Sequence, residues 1–192
     1  MASLVGSKVE RKEDKRFLTG KGRYTADIKL ANQTYAFFVR SPHARAKISK
    51  VDISKAEKCP GVVKILTGED IVKDKIGGLI AGWKIVSQDG KDMKCPPHPA
   101  LAKDCVNYVG DQVAVVIAET LEQAKNAAET VNVSYKVQKA VVNTADAMNS
   151  EAIHEGIDRN LCFDWLLGDK TKTEEAISKA DKIVKIDLTN NR

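Results

Sequence analysis

The sequence predicts an α+β fold of mixed sheets with few helices, and three observations predict it. Apolar runs of strand length recur along the chain, rich in Val and Ile and separated by Gly, Pro and Asn. A single clear amphipathic helix, 121–131, follows a β-turn-β segment and precedes another strand, making a β-turn-β-α-β unit. Apolar residues make up 43% of the chain but aromatics only 5%, so the core is built from Val, Ile, Leu and Ala. A helix set between strands points to a helix layer on a sheet rather than an all-β sandwich.

The elements follow in order. Residues 1–21 read as an extended arm. Arg23 to Lys29 gives a short strand, and Asn32 is a turn residue. Thr34 to Ser41 carries aromatics and a β-branched residue, which favours a strand; Pro42 ends it, because proline cannot donate to a central ladder. Ala46 to Ile53 alternates, with a slip at Ser49-Lys50 that signals a bulge. Ser54 to Lys58 reads as a short helix with Ser54 at its N-cap. Pro60-Gly61 makes a turn, Val62 to Leu66 a buried strand, and Thr67-Gly68-Glu69-Asp70 closes it. Residues 73–103 are dominated by loop signals (Gly77-Gly78, Gly82, Gly90, Pro96-Pro97), and a strand fits there only at Trp83 to Val86.

The region 106–135 is the most regular. Val106 to Val109 is a strand, Gly110-Asp111 a turn and Gln112 to Ala118 a buried strand. Thr120 caps the helix that follows. Leu121, Ala124, Ala127, Ala128 and Val131 recur at helical spacing, so a narrow face of small residues packs on the sheet. Asn132 to Tyr135 returns as a strand. Beyond it, Ala145 to Met148 forms a helical turn, 149–169 is loop, Thr173 to Ala180 is a helix and Lys182 to Leu188 alternates as a strand. A strand running into the last residues raises the expectation of a piece of a longer chain.

Charge and composition narrow the function classes. Lys and Arg number 31 against 26 Asp and Glu, a net charge of +5, and the signs are interleaved almost everywhere. That pattern describes a solvated surface rather than a nucleic-acid-binding face. No apolar run approaches the roughly 20 residues of a membrane span. Cys59, Cys95, Cys105 and Cys162 form no Cys-x-x-Cys pair, which points to reduced thiols. With no signal-peptide pattern at the start, the expected location is cytoplasmic.

Motifs that carry chemistry are sparse. Gly20-Lys21-Gly22 lacks the third glycine of a dinucleotide fingerprint and precedes an extended segment rather than a helix. His43, His98 and His154 are far apart, and Cys95-Pro96-Pro97-His98 has no second ligand pair to complete a zinc site. Nothing marks Cys95 or Cys105 as an activated nucleophile for His43 or His98. Asp27, Asp52, Asp70 and Asp111 occur singly near strand ends and turns, where Asp bonds backbone amides. Catalytic, cofactor-binding and metal-ligating residues are therefore expected to be absent. The arm is the exception to blandness: residues 11–24 place eight charged residues and two glycines around Phe17-Leu18. Arg11, Arg16 and Arg23 suit bidentate contact with carboxylates. On physics alone a docked arm and a solvated tail fit equally.

The series Arg11-Lys12-Glu13-Asp14-Lys15-Arg16-Phe17-Leu18-Thr19-Gly20-Lys21-Gly22-Arg23-Tyr24, then Asp27-Ile28, resembles the opening of the molybdenum hydroxylase large subunit. This is the family of xanthine dehydrogenase, aldehyde oxidoreductase and aerobic carbon monoxide dehydrogenase. Further matches come in order: Phe38 to Ile48, Pro60-Gly61-Val62-Val63, Leu66-Thr67-Gly68 with Asp70, Pro99 to Ala102, Tyr108 to Val116, and 118–135. His154, Asn160 and Gly168-Asp169 fit more loosely. Residues 73–97 match no pattern of the family.

The resemblance implies an α/β-hammerhead domain over 22–181, preceded by the arm at 1–21. It implies that 182–192 begins the strand leading into molybdenum-cofactor domains that this sequence does not contain. The molybdopterin cofactor and the catalytic residues belong to those domains, and iron–sulfur and FAD centres to partner subunits. This chain is then a scaffold, inactive alone, whose partners are the cofactor domains and the iron–sulfur and flavin subunits. The arm (Arg11, Arg16, Phe17, Arg23) and the Arg40-Ser41-Pro42-His43 turn, with Arg40 and His43, are its expected contact surface. The alternative is a free-standing protein-interaction module with no enzymatic role.

Overall fold

The computed structural model describes residues 5, 6, 8, 10–188 and 190. Parts of the expected arm (1–4, 7 and 9) and of the last segment (189, 191 and 192) lie outside the described residues. The chain divides into two compact units, one made of 1–74 and 101–137, the other of 75–100 and 138–192.

The first unit holds the sheets. Its elements are helix α1 (Asp14–Leu18), strands β1 (Tyr35–Arg40), β2 (Ala46–Asp52) and β3 (Val62–Thr67), and helix α2 (Gly68–Lys73). Strands β4 (Cys105–Val106) and β5 (Gln112–Ala118), helix α3 (Leu121–Glu129) and strand β6 (Asn132–Val137) complete it. One sheet has the order β1-β5-β3 and the other β4-β2-β6. Every pairing is antiparallel. The strands therefore alternate between the sheets along the chain, and among the described residues no two consecutive strands pair.

The α+β class and the few helices are borne out. The expected β-turn-β-α-β unit is present in sequence order, but its strands do not adjoin: β4 and β6 flank β2, while β5 lies in the other sheet. Helix α3 thus carries the chain from one sheet to the other, and the expected mixed pairing is antiparallel throughout.

Strand β5 is buried on both faces because three clusters meet along it. Val116 packs with Ala56, Ile65, Ala127 and Ala128, and with Phe37 and Val39 of β1. Val115 packs with Ile71 and Leu101. Val113 joins Ala46, Ala102 and Val106, beside Ile48 and Tyr135 of the other sheet. The small face of α3 is as expected: Ala124 and Ala127 are fully buried. Thr120 caps α3 with a reciprocal box, its Oγ1 accepting from Gln123 N at 3.2 Å while Thr120 N donates to Gln123 Oε1 at 3.0 Å. The bulge expected at Ser49 appears as a register shift between Ile48 and Lys50 against β6. Two more interrupt β1 at Val39/Arg40 and β3 at Val62/Lys64.

Several local expectations are corrected. The arm is not extended throughout, since 14–18 forms a helical turn. Arg23 to Lys29 is no strand; a 3-10 turn occupies Thr25–Asp27 because Asp27 Oδ2 accepts from Tyr24 N at 2.9 Å and folds the chain back. The helix expected from Ser54 shrinks to a 3-10 turn at Ala56–Lys58. Ser54 is not its cap: Ser54 N and Oγ both donate to Asp52 Oδ1, at 3.1 and 2.7 Å. Val62 to Leu66 forms its strand, extended to Thr67, but only Ile65 is buried. Thr67 to Asp70 starts α2 rather than merely closing β3, because Thr67 and Asp70 form a capping box. β4 stops at Val106, three residues before the expected end at Val109.

The second unit is built mainly from loops. Residues 85–93 make a narrow hairpin about the 87–90 turn, with Met93 N donating to Ile85 O and Ser87 N to Lys91 O, both at 2.8 Å. The strand expected at Trp83 to Val86 reduces to a single bridge between Val86 and Asp92. Residues 162–164 run alongside, through Gln88 N to Asp164 O and Lys94 N to Cys162 O. A 3-10 turn covers Thr144–Asn149, as expected, and another Asp158–Asn160. The Asn160 side chain ties them, donating to Ala147 O at 2.8 Å and Glu151 O at 3.1 Å while accepting from Ile153 N at 2.8 Å. Helix α4 (Lys170–Ser178) starts three residues before the expected Thr173, because Asp169 caps it through Lys172 N at 3.0 Å. Residues 182–188 form no strand. Ile183, Val184, Ile186 and Leu188 are all exposed, since alternation alone does not make a strand without a ladder partner.

Candidate functional site

The two candidate segments fold into two separate local structures. In the arm, α1 ends in a paired hydrogen-bond motif at a left-handed glycine: Gly20 N donates to Phe17 O at 3.1 Å and Lys21 N to Arg16 O at 2.9 Å, with Gly20 at φ +70°. Thr19 Oγ1 adds a bond to Lys15 O at 2.7 Å. The chain reverses and brings Gly22 against the Phe17 ring, where a methyl group would overlap Cδ1. Tyr24 then stacks on Phe17, with centroids 5.3 Å apart and planes 10° from parallel. The Arg16 guanidinium lies 5.2 Å from the Phe17 centroid. Residues 16–24 thus close on themselves around one half-buried ring.

This arrangement separates the expected contact residues by role. Phe17 holds the loop together. Leu18 points to solvent at 86% exposure, and Arg16 and Arg23 are exposed as well. Arg11 bonds Asp14 through Nε at 3.2 Å, an exposed pair of small energetic weight. Sequence reasoning quoted Gly22 and Tyr24 as part of the motif but missed their place as the walls around Phe17. The i, i+5 and i, i+7 spacing of Gly and Tyr after Phe is the available signal.

The turn after β1 is pinned to the 107–111 loop. Arg40 Nη1 donates to Gly110 O at 2.9 Å, and its guanidinium lies 5.7 Å from the Phe38 centroid. Ser41 is buried; its N–H donates to Asp111 O and its carbonyl accepts from Gly110 N, each at 2.8 Å. Ser41 Oγ donates to His43 O at 2.9 Å and accepts from His43 N at 3.0 Å. His43 meets the Tyr135 ring edge-on at 5.0 Å. Asp111, also buried, accepts from Asn107 N at 3.0 Å. Burial and the neighbouring Asp111 carboxylate push the Tyr108 phenol up. Burial pushes Tyr135 up as well, against the opposing hydrogen bond with Ser41. The partners of Arg40 and Ser41 are some 70 residues away in sequence, so no local signal marks them.

Among the described residues no hydrogen bond, ion pair or ring contact joins 11–24 to 40–43. The four aspartates singled out in the sequence all accept a backbone N–H: Asp27 from Tyr24, Asp52 from Ser54, Asp70 from Thr67 and Asp111 from Asn107. The four cysteines are free thiols. Cys95 Sγ donates to Met93 O at 3.7 Å, and Cys105 Sγ accepts from Asn107 Nδ2 at 3.8 Å.

Among the described residues no group of three or more His, Cys, Asp or Glu stands at ligating distance. No buried side-chain nitrogen or oxygen among the described residues lacks a hydrogen-bond partner. Clefts of about 280 Å³ beside Gly68 and Lys103 and about 500 Å³ beside β1 and Ala128 are open to solvent. No helix of the described residues is long and apolar enough to cross a membrane.

Two small antiparallel sheets sharing strands alternately, with one crossing helix and few others, define an α/β-hammerhead domain. The chain belongs to the family described as aldehyde oxidase and xanthine dehydrogenase, a/b hammerhead domain, which matches residues 19–139. It is 34% identical over 154 residues to the nicotine 6-hydroxylase large subunit of Paenarthrobacter nicotinovorans, covering 80% of this chain and 18% of that protein. It is 32% identical over 204 residues to the carbon monoxide dehydrogenase large chain of Afipia carboxidovorans, covering 98% of this chain and 24% of that one. The crystal structure of a Cu,Mo-CO dehydrogenase in its carbon monoxide reduced state superposes with a TM-score of 0.72 at 30% identity, over 92% of this chain and 23% of that one. The family resemblance read from the sequence is borne out. This chain spans about a fifth of the length of the first relatives, at 18% and 24%, and both are named as the large member of an enzyme of several subunits.

Proposed function

We propose that this hammerhead domain is a non-catalytic scaffold within the large subunit of a molybdopterin-dependent hydroxylase. The domain would span 22–181, with 182–192 leading into the cofactor domains. The complete enzyme would oxidise an aldehyde, an N-heterocycle or carbon monoxide, taking oxygen from water and passing electrons through iron–sulfur and FAD centres of partner subunits. The arm and the 40–43 turn would contact the cofactor domains or those subunits through Arg11, Arg16, Phe17, Arg23, Arg40 and His43. Its location would be cytoplasmic, in keeping with its unpaired thiols.

One observation carries this reading. Nearly the whole chain, 92%, aligns on only 23% of a Cu,Mo-CO dehydrogenase chain. A domain-sized part of such an enzyme is present. The test is to tag this chain in its source cells, purify it without denaturation, and measure mass, molybdenum, flavin and iron. The expected species is several-fold heavier than 21.0 kDa and contains all three. A lone 21.0 kDa protein without them would overturn the scaffold reading in favour of a free-standing interaction module.

A further inference from the structure

The tip of the 85–93 hairpin holds the chain's single Asp-Gly pair, Asp89-Gly90, and the sequence has no Asn-Gly pair. An aspartate before glycine is the place where a chain is most open to attack by its own backbone, because glycine has no side chain to crowd its amide nitrogen. Space is free at this one: a methyl group on Gly90 would meet nothing within 4 Å, and the Asp89 side chain is 55% exposed. The fold nevertheless engages both reacting groups. Gly90, at φ +77°, donates its N–H to Ser87 O at 2.9 Å, as in a hairpin loop whose turn ends on a left-handed glycine. The electron pair uncovered by loss of that proton points at Ser87 O and not at Asp89 Cγ. Asp89 Oδ1 accepts from Lys91 N at 3.1 Å, and Oδ2 pairs with Lys91 Nζ at 3.2 Å. The Lys91 main-chain bond, and after it the ammonium, hold the Asp89 carboxyl below its usual range. An ionised carboxylate is a poor electrophile; the protonated group is the one that can release water.

We propose that Asp89-Gly90 is a latent isoaspartate site, kept from reacting by the hairpin's hold on Gly90 N–H and on the Asp89 carboxylate, and released when the 87–91 turn opens. The chemistry needs no reagent but water. Gly90 N gives up its proton and bonds to Asp89 Cγ, and one carboxyl oxygen leaves as water, closing a five-membered imide. Water then adds at the Asp89 main-chain carbonyl and the bond from that carbon to Gly90 N breaks. The chain now runs through Cβ and Cγ, and the α-carboxyl is free. Nothing is oxidised or reduced, and the water released is taken up again. The product carries an extra main-chain atom directly after Gln88. That residue donates to Asp164 O at 2.8 Å, and Ser87 Oγ beside it accepts from Asp164 N at 3.2 Å. Isomerisation therefore loosens the hairpin from 162–164, and the modification marks chains whose turn has opened. This inference stands independently of the scaffold reading.

The test uses the protein purified without denaturation from its source cells, incubated at neutral pH and sampled over weeks. Trypsin releases residues 85–91 as one peptide, in which chromatography and electron-transfer fragmentation separate aspartate from isoaspartate. The same peptide made synthetically and the protein held in urea are the open references. Both references should accumulate isoaspartate faster than the folded protein by about fivefold or more, the factor carried by one intramolecular hydrogen bond. Asp89→Glu should abolish the product in the protein and in the peptide, because glutamate would have to close a larger ring. In the modified fraction, hydrogen exchange at Gln88 N and Lys94 N should be faster than in the unmodified one. Equal rates in the folded protein and the two references overturn the protective role of the hairpin. Absence of isoaspartate at position 89 in the unfolded protein and the peptide overturns the site itself. Unchanged exchange at Gln88 and Lys94 overturns the coupling to 162–164.

Discussion

The backbone of Gly68 runs so close to the carbonyl of Ala102 that no side chain fits between them. A Cβ on Gly68 would stand 2.5 Å from Ala102 O and 2.6 Å from Lys103 Cα. These atoms are main chain and cannot swing aside as a flexible side chain can. Gly68 is also the first residue of α2, and Ala102 N is bonded to Gln112 O at 2.7 Å, so both partners are held. Gly68→Ala should lower stability by about 1–3 kcal/mol through overpacking. Urea unfolding at neutral pH measures it, and an unchanged midpoint would show that the 101–103 segment yields freely.

Gly22 faces a softer neighbour, the ring of Phe17. Gly22→Ala should turn the ring out and break its stack on Tyr24. In proton NMR the ring-current shifts of the Phe17 and Tyr24 side chains should collapse toward random-coil values. Global stability should change by less than about 0.5 kcal/mol, as for a surface site. A large loss of global stability would mean that the arm is part of the core.

Ala127 is fully buried where α3 meets β5. Ala127→Leu adds volume that neither Val116 nor Ile65 can vacate, and should cost about 1–3 kcal/mol. Lys125, on the same helix, reaches over the Phe37 ring at 5.9 Å from its outer side, and Lys125→Met should be nearly neutral. Thermal unfolding of the pair distinguishes packing from the mere identity of the helix. Equal melting points for both variants would contradict the account of the small-residue face.

Asp70 gives a pH dependence with a definite sign. Hydrogen bonds from Thr67 N at 2.8 Å and Thr67 Oγ1 at 3.0 Å hold its carboxyl below the usual range, the backbone bond being the larger cause and burial opposing it. A carboxylate lowered in the folded state contributes stability above its unfolded pKa and loses it as pH falls through the folded value. That loss should occur below about pH 4. Asp70→Asn should be less stable at neutral pH, and the gap from wild type should narrow as the solution is acidified. A gap constant from pH 7 to pH 2.5 would show that Asp70 does not titrate with folding.

What was legible in the sequence was local. The span of β5, the Thr120 cap, the small face of α3, the bulge at Ser49 and the backbone bonds of four aspartates all depend on residues within a few positions of each other. The Thr67–Asp70 capping box was equally visible as Thr-x-x-Asp, yet reads as a strand end when the helix it opens is only six residues long. Strands inferred at 23–29, 83–86 and 182–188 failed for one reason: periodicity describes a strand's faces, while its existence depends on a neighbour. The partners of Arg40 and Ser41 in the 110–111 turn were hidden for the same reason. The arm's motif was legible as a family mark, but its shape was not, because ring stacking across a glycine reversal leaves no periodic trace.

The alternation of strands between sheets bears on how the protein is made. A ribosome delivers β1, β2 and β3 long before β5, the strand that β1 and β3 both need, and β2 must wait for β6 to gain its long partner. The β1-β5-β3 sheet cannot mature until about residue 118 has left the exit tunnel, nor the β4-β2-β6 sheet until about residue 137, and the intervening segment 75–100 only lengthens the delay. Apolar strands such as Tyr35–Arg40 are therefore exposed unpaired during synthesis, a state prone to aggregation. Stalling translation between β3 and β5 should yield a nascent chain that is protease-sensitive and bound by chaperones, whereas release after β6 should make the same residues resistant.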